Sequence, residues 1–503
     1  MRLTSGVAAV LLGTLADYGQ AKLSARSADP CCDALLLSKI GDRVVLPNVK
    51  SYKESVKSYW AVNVQLEPNC IVQPVSTDEV SGAVQTLANS ITGDSCKFAV
   101  RSGGHATWPG ANNIEDGVTI DLSNLNSTTY HKGAETAILH PGARWGDVYK
   151  ALEPFGVTVP GGRTAPVGVG GFLLGGGNTF HTARVGFATD NVENFEVVLA
   201  SGRVVNANRQ TNTDLYKALK GGTGNFGIVT KYDLKIIPHD KLWGGLVGHE
   251  NSTTPQLVDA FVNFVDHLHE DPYASYIGMW QYSTATKQNT VASALEYTKA
   301  ETHPPAFHDF YHVKNVSDTM RLATMANLTA EIGQPDGYRD VFLTGTYEND
   351  AKILARAVKI HDSKIDVLKS QAKSKDWTIY AMFQPWPKIF WEQSVKKGGN
   401  VLGLERNDKN LFQVLYDYSW SDAADDELFR QTGIDALKEL DEYAKSEGKY
   451  NEYVYLNYAD RTQNPLRGYG PENLEYIKKV AETYDPDGVF QTQVPGGFKI
   501  TQE

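Results

Sequence analysis

Two glycine-rich stretches constrain this chain more than any other feature. One is Arg101-Ser102-Gly103-Gly104-His105; the other runs from Pro160-Gly161-Gly162 through Gly168-Val169-Gly170-Gly171 to Gly175-Gly176-Gly177. Glycine costs chain entropy on folding, so such runs mark places where backbone amides approach a ligand closely or take positive φ, as around a pyrophosphate. A bound dinucleotide is the natural candidate. The spacing is not that of a helix-opening Rossmann site, and no Gly-Lys-Ser/Thr of a P-loop appears, so another nucleotide architecture is required.

A chain of 503 residues exceeds what one hydrophobic core organises and predicts two or three domains. Hydrophobic residues at 41% and charged ones at 21% belong to an ordinary globular protein. The formal charge of −11 argues against nucleic acid or an anionic membrane as partner and leaves a small molecule. Residues 1–25 carry the grammar of a secretory signal: Arg2, an apolar stretch from Gly6 to Ala16, then small residues around Ala21 and Ala25. That stretch is too short to span a bilayer; the competing reading is a buried first helix. Sequons at Asn126, Asn251, Asn315 and Asn327 fit a secreted chain. All four cysteines, Cys31, Cys32, Cys70 and Cys96, precede residue 100, an even number suited to an oxidising compartment. Adjacent cysteines rarely bridge one another, so Cys31 and Cys32 are each expected to pair with one of Cys70 and Cys96, in either order. Histidine and cysteine are not at ligand spacing, so no metal site is expected.

From Cys70 to Pro238 short apolar runs alternate with helical patterns. Ser76-Thr77-Asp78-Glu79 reads as a capping box, with Val80, Val84, Leu87 and Ile91 at helical spacing behind it. Residues 97–100 and 118–122 read as strands, and 195–199 followed by Ser201-Gly202 as a hairpin. An α+β nucleotide domain results. After Pro238, Val258, Phe261, Val262, Val265 and Leu268 mark an amphipathic helix, while 411–420 and 453–458 read as strands. This second α+β region suits a lid or floor for a substrate. A last helix carries Leu474, Ile477, Val480 and Tyr484 on one face and closes at Asp485-Pro486-Asp487-Gly488.

The string Phe98 to His105, the block Pro160 to Gly177, the run Gly221-Gly222-Thr223-Gly224-Asn225-Phe226-Gly227-Ile228-Val229-Thr230, and the tail Tyr455-Leu456-Asn457-Tyr458-Ala459-Asp460 through Tyr484 to Phe490 resemble one family. It is that of the berberine-bridge-enzyme-like oxidases, flavoproteins of the vanillyl-alcohol-oxidase superfamily. The likeness runs in order from about residue 59 to 497 and is loosest in the middle third. It implies a secreted, fungal-type member of α+β class: a signal peptide at 1–21, a two-lobed PCMH-type FAD-binding domain at 66–238, a substrate domain at 239–452, and a C-terminal segment at 453–497 returning to the FAD domain. A monomer is expected.

The resemblance implies FAD as cofactor. In relatives the histidine of Arg-Ser-Gly-Gly-His is bonded to the flavin 8α-methyl carbon, which makes His105 the implied anchor. The amides of Ser102, Gly103 and Gly104 are expected to face the pyrophosphate. Arg101 is open to two readings, a phosphate contact or a structural ion pair. Many relatives carry a second tether, a cysteine in the later glycine block; Thr164 stands there, and no cysteine follows Cys96, so a single tether is expected. Phe172 stands where many relatives place a histidine near the ribityl chain. Val167 occupies the position where valine accompanies oxygen reactivity, which favours an oxidase over a dehydrogenase. Further flavin contacts are implied at Gly168, Gly170, Gly171, Gly175, Gly176, Asn225, Gly227 and Val229.

Catalysis needs a group to remove a proton as hydride leaves an alcohol or amine. The tyrosine of the Asn-Tyr-x-Asp motif lies near the ring in relatives, which nominates Tyr458; the plainer reading is a core tyrosine. Tyr455 is a second nominee, turned to the opposite face if the strand is regular. Sugar-oxidising relatives often support their tyrosine with an acid, but Gln384-Pro385-Trp386-Pro387 offers none. Gln384 and Tyr416 or Tyr418 are expected to line the pocket, with Trp386, Phe390, Trp391 and Trp420 supplying a flat apolar lining. The expected activity is oxidation of a specialised-metabolite alcohol or amine with oxygen as acceptor. The alternatives are a carbohydrate oxidase forming a lactone and an inactive secreted flavin-binding glycoprotein.

Overall fold

A computed structural model describes residues 29–88 and 96–502; the signal segment expected at 1–21 and Ile91 lie outside the described residues. The chain is α+β, built on three principal sheets. The first runs in the order Val44–Val45, Cys70–Val72, Val118–Asp121, Phe98–Arg101, the last three strands parallel. The helix Thr77–Ala88 makes the crossover. At its start the Glu79 amide donates to Ser76 Oγ at 3.2 Å, while the Glu79 carboxylate accepts from the Val75 amide at 2.8 Å, a capping box shifted back by one residue. Val80, Val84 and Leu87 are buried against the sheet. Disulfides Cys31–Cys96 and Cys32–Cys70 bind the helix Pro30–Leu37 to this lobe, resolving the pairing.

The second sheet is antiparallel, in the order Thr128–His131, Thr136–Leu139, Ile228–Lys235, Val192–Val198, Val204–Asn208. Its hairpin closes where the Leu199 amide donates to the Arg203 carbonyl, as the Ser201-Gly202 turn predicts.

The third sheet has nine antiparallel strands spread between Leu242–Glu250 and Tyr450–Asn451. Its centre is Ala274–Ser283, Trp377–Trp386, Leu411–Trp420 and Arg339–Glu348. Helices Thr254–His267, Ala351–Gln371 and Asp426–Ser446 cover one face: Phe261 packs on Tyr276, Tyr416 donates to Ala357 O, and Tyr347 donates to Asp441. Strand alternation therefore turns Ile277, Met279, Gln281, Tyr380, Met382 and Leu415 to the other face.

One expected strand is absent. Residues 453–458 leave the sheet after Tyr450–Asn451, and Leu456–Tyr458 winds into a 3₁₀ turn with bonds Tyr458 N to Tyr455 O and Ala459 N to Leu456 O. Asn457 fastens the turn by donating to Phe172 O at 3.1 Å. The turn brings the Tyr455 and Tyr458 rings within 4.9 Å, where a strand would have set them on opposite faces. The final helix Pro471–Tyr484 ends as predicted, and the Asp485 carboxylate then accepts from the Val489 and Phe490 amides. The chain returns to the first lobe, the Phe98 amide donating to Gln493 O at 2.8 Å. Asn126, Asn315 and Asn327 are exposed and Asn251 is half-buried. Among the described residues no helix is long and apolar enough to cross a membrane, and no group of three or more acidic, histidine or cysteine side chains could hold a metal ion.

Candidate active site

The two glycine stretches, the free face of the large sheet and the C-terminal segment enclose one cavity of about 560 Å³, within the range of cofactor and ligand sites. Its cradle is made where two backbones touch. A Cβ on Gly103 would sit 2.5 Å from Gly168 Cα, and one on Gly168 would sit 2.5 Å from Gly103 Cα, so neither position admits a side chain. Ser102 stitches the same contact, donating to Pro141 O and accepting from the Gly170 amide at 3.1 Å. A Cβ at Gly171 would meet nothing within 4 Å, leaving open space over the loop.

His105 stands at the edge of this cradle, half-buried and stacked on Trp60 at 4.4 Å and 10°. Desolvation pushes its imidazole down to about 4, with the Arg144 guanidinium adding to the effect. At neutral pH the ring is uncharged and its nitrogen lone pair is free.

Ser102, Gly103, Gly104, His105, Thr164, Val167, Gly168, Gly170, Gly171, Gly227 and Val229 all line the cavity. Arg101, Gly175, Gly176 and Asn225 do not. The Arg101 guanidinium is spent elsewhere: on Asp121 at 3.7 Å, on Ser55 O at 2.8 Å, on Ser58 Oγ and over the Tyr59 ring. The ion-pair reading of Arg101 therefore prevails. Gly175 gives way to the Asn457 side chain, whose Oδ1 lies 1.7 Å from where a Cβ would stand, and Gly176 takes φ +110° against Leu402. Asn225 ties its own loop to the C-terminal segment, donating to Gly222 O, Thr223 Oγ1 and Phe498 O.

Across the cavity, Tyr458 is half-buried in the wall. The Arg163 Nη2 donates to its hydroxyl at 3.2 Å and also to Gln384 Oε1. Tyr455 lines the same wall, but its buried hydroxyl accepts from the Asn178 amide at 2.8 Å, and burial with the neighbouring Tyr458 pushes its phenol well up. Tyr455 is thus held as a neutral, pinned phenol, the weaker of the two nominees. Phe172 lines the cavity with its edge 5.2 Å from Trp145 and has no hydrogen-bonding group to offer there.

Several expected lining residues are placed elsewhere. Tyr416 and Tyr418 have the wrong parity on their strand and face the helices; Leu415 faces the cavity. Trp386 is covered by Phe187, Tyr453 and Tyr455, with Phe390 beyond it, Trp391 is buried, and Trp420 stacks on Phe429. The largely apolar lining of the cavity on the sheet side is instead Phe342, Tyr380, Met279, Met382 and Leu415.

The FAD binding domain family matches residues 68–208. Over 472 residues the chain is 50% identical to the FAD-dependent monooxygenase sdcF of Emericella nidulans, a match covering 93% of this chain and 98% of that protein. The chain belongs to the berberine-bridge-enzyme-like family of FAD-linked oxidoreductases. The fold of this family is also that of 6-hydroxy-D-nicotine oxidase from Arthrobacter nicotinovorans, with a TM-score of 0.74 at 20% identity, covering 92% of this chain and 98% of that one. A chitooligosaccharide oxidase aligns with a TM-score of 0.72 at 21% identity, covering 94% and 100%.

The cavity suits the family's cofactor. Backbone amides without Cβ atoms approach where a diphosphate would lie, and the Ser102–Gly104 and Gly168–Gly171 loops are the residues that would hold it. Besides that apolar lining, two cationic wall residues escaped the sequence reading. Arg163 sits inside the second glycine run, an isolated cation in an apolar stretch, and that isolation was the available signal. Lys499 lines the opposite end, donating to Phe490 O at 2.9 Å, with burial pushing it down to about 8.

Proposed function

We propose that this protein is a secreted, monomeric FAD oxidase, tethered once through His105, that removes a hydride and a proton from a specialised-metabolite alcohol or related donor and gives hydrogen peroxide. The observation carrying this reading is the meeting of Arg163, Gln384 and Tyr458 on the wall facing the His105 loop. FAD supplies the two-electron acceptor. Arg163 fixes the Tyr458 oxygen at the cavity wall, where the phenolate form of that side chain would take the substrate's hydroxyl proton as the carbon is oxidised. Met279, Met382, Phe342 and Leu415 exclude water from that carbon. His105, uncharged and stacked on Trp60, is poised as a nucleophile for covalent attachment. Val167 faces the cavity, in keeping with access for oxygen. The two disulfides and the exposed Asn126, Asn315 and Asn327 support a secretory route.

The balance is simple: the alcohol loses two electrons and two protons to become a carbonyl, and oxygen takes them to become peroxide. A second reading, monooxygenation, is favoured by the name of sdcF and would place one oxygen atom in the product and one in water, with a nicotinamide-type reductant supplying the two electrons that the second atom requires. Turnover under ¹⁸O₂ decides between them. Peroxide formed in step with unlabelled product supports the oxidase; labelled product overturns it. Colour that stays with an acid precipitate supports the His105 bond, and robust turnover of oligosaccharides would replace the specialised-metabolite reading with the sugar one.

A further inference from the structure

Arg163 is 6% exposed, yet all its hydrogen bonds leave from one terminal nitrogen: Nη2 donates to Gln384 Oε1 and to Tyr458. Among the described residues, Nη1 and Nε have no hydrogen-bond partner, so three of five N–H groups on a buried cation are unspent. Arg163 lines the main cavity and also a pocket of about 10 Å³ behind it, beside Asn178, Ser275 and Pro385. No carboxylate neutralises it by contact. Glu296 is fully buried, feels the guanidinium's charge, and has no hydrogen bond at either oxygen. Burial pushes Glu296 well above the usual carboxylate range, against the opposing pull of the Arg163 charge.

A buried, half-paired guanidinium is costly unless something anionic completes it, and its planar fork matches a carboxylate or a phenolate-type oxygen. We infer that Arg163 is a specificity-determining residue that receives an anionic oxygen of the substrate, a carboxylate or an acidic phenol or enol, beside the carbon that is oxidised. The hydride donor is therefore a molecule that carries an acidic group. The assignment rests on this cavity being the substrate site. Gln384 fits the same logic: a carboxylate at that position would satisfy the fork internally, whereas an amide oxygen takes one N–H and leaves the charge for the ligand.

The test is binding without turnover. Benzoate, benzamide and benzylamine share one shape and differ in charge, and each is titrated by calorimetry into the purified holoenzyme at neutral pH. Benzoate is expected to bind about tenfold or more tighter than benzamide, with benzylamine weakest. Arg163→Gln is expected to erase the benzoate preference while acid-stable flavin remains. Arg163→Lys, which keeps the charge and loses the fork, is expected to fall between the two. Benzamide or benzylamine binding as well as benzoate, no benzoate binding at millimolar concentration, or an undiminished preference in Arg163→Gln each overturns the assignment. The wild-type arm stands even if a variant does not fold. A colourless protein, by contrast, strikes at the oxidase reading, and calorimetry still reports on Arg163.

Discussion

The cofactor cradle and the substrate floor enclose the same space by opposite means. The cradle is backbone: Gly103 and Gly168 touch at their α-carbons, and every useful group there is an amide or a small hydroxyl. The floor is side chain: Met279, Tyr380, Met382, Gln384 and Leu415 project from successive strands of one sheet. A wall without side chains has nothing to adjust and suits a cofactor that never changes. A wall made of side chains can be rewritten one residue at a time without moving the strands beneath. Substrate selection is thus expected of the floor, and at Gly103 and Gly168 the cradle's tolerance for substitution is close to zero.

The largest effect is expected from Gly168→Ala. Its Cβ meets Gly103 backbone, which cannot swing aside, so bound flavin measured at its visible absorbance should vanish and stability should fall by ~3 kcal/mol. A yellow Gly168→Ala protein with an unchanged melting temperature would break the contrast outright. Tyr458→Phe removes only the oxygen held by Arg163; the fold and flavin should persist while kcat falls by roughly 10² to 10⁴-fold. Full turnover in that variant would hand the proton to another group.

A third prediction concerns pH at the cradle's edge. The folded imidazole of His105 is held at about 4, below its ordinary 6.5, so it remains neutral and nucleophilic across that interval. Covalent loading of apoprotein with FAD should be flat from pH 8 to about 5 and decline only near 4. The linkage has the matching sign: between 6.5 and 4 the unfolded chain binds the proton that the folded one refuses, so His105 subtracts stability as pH falls through that window. Comparing the pH dependence of melting for apoprotein and its His105→Ala variant isolates this share. The smallest effect is on the floor. Met382→Leu should cost less than ~1.5 kcal/mol and shift KM with little change in bound flavin.

The cradle was legible in sequence because its information is local: consecutive glycines announce a backbone site whatever surrounds them. The floor was legible only at Gln384, because it is assembled from strands far apart in the chain. Tyr416 or Tyr418 was expected in the cavity, while strand parity gave the place to Leu415. The aromatic run 453–458 carried strand propensity, and the 3₁₀ turn pinned by Asn457 overrode it. Arg163 was hidden by its neighbours, in a segment read for its glycines rather than its one charge.

The C-terminal segment carries a consequence for biogenesis. Val494, Gly496, Gly497, Phe498 and Lys499 are walls of the same cavity whose cradle begins at Ser102, and Asn225 clasps Phe498 to close it. The cavity is complete only once residue 499 has folded back onto the first lobe. Flavin loading is thereby tied to the end of the chain as much as to its first glycine loop.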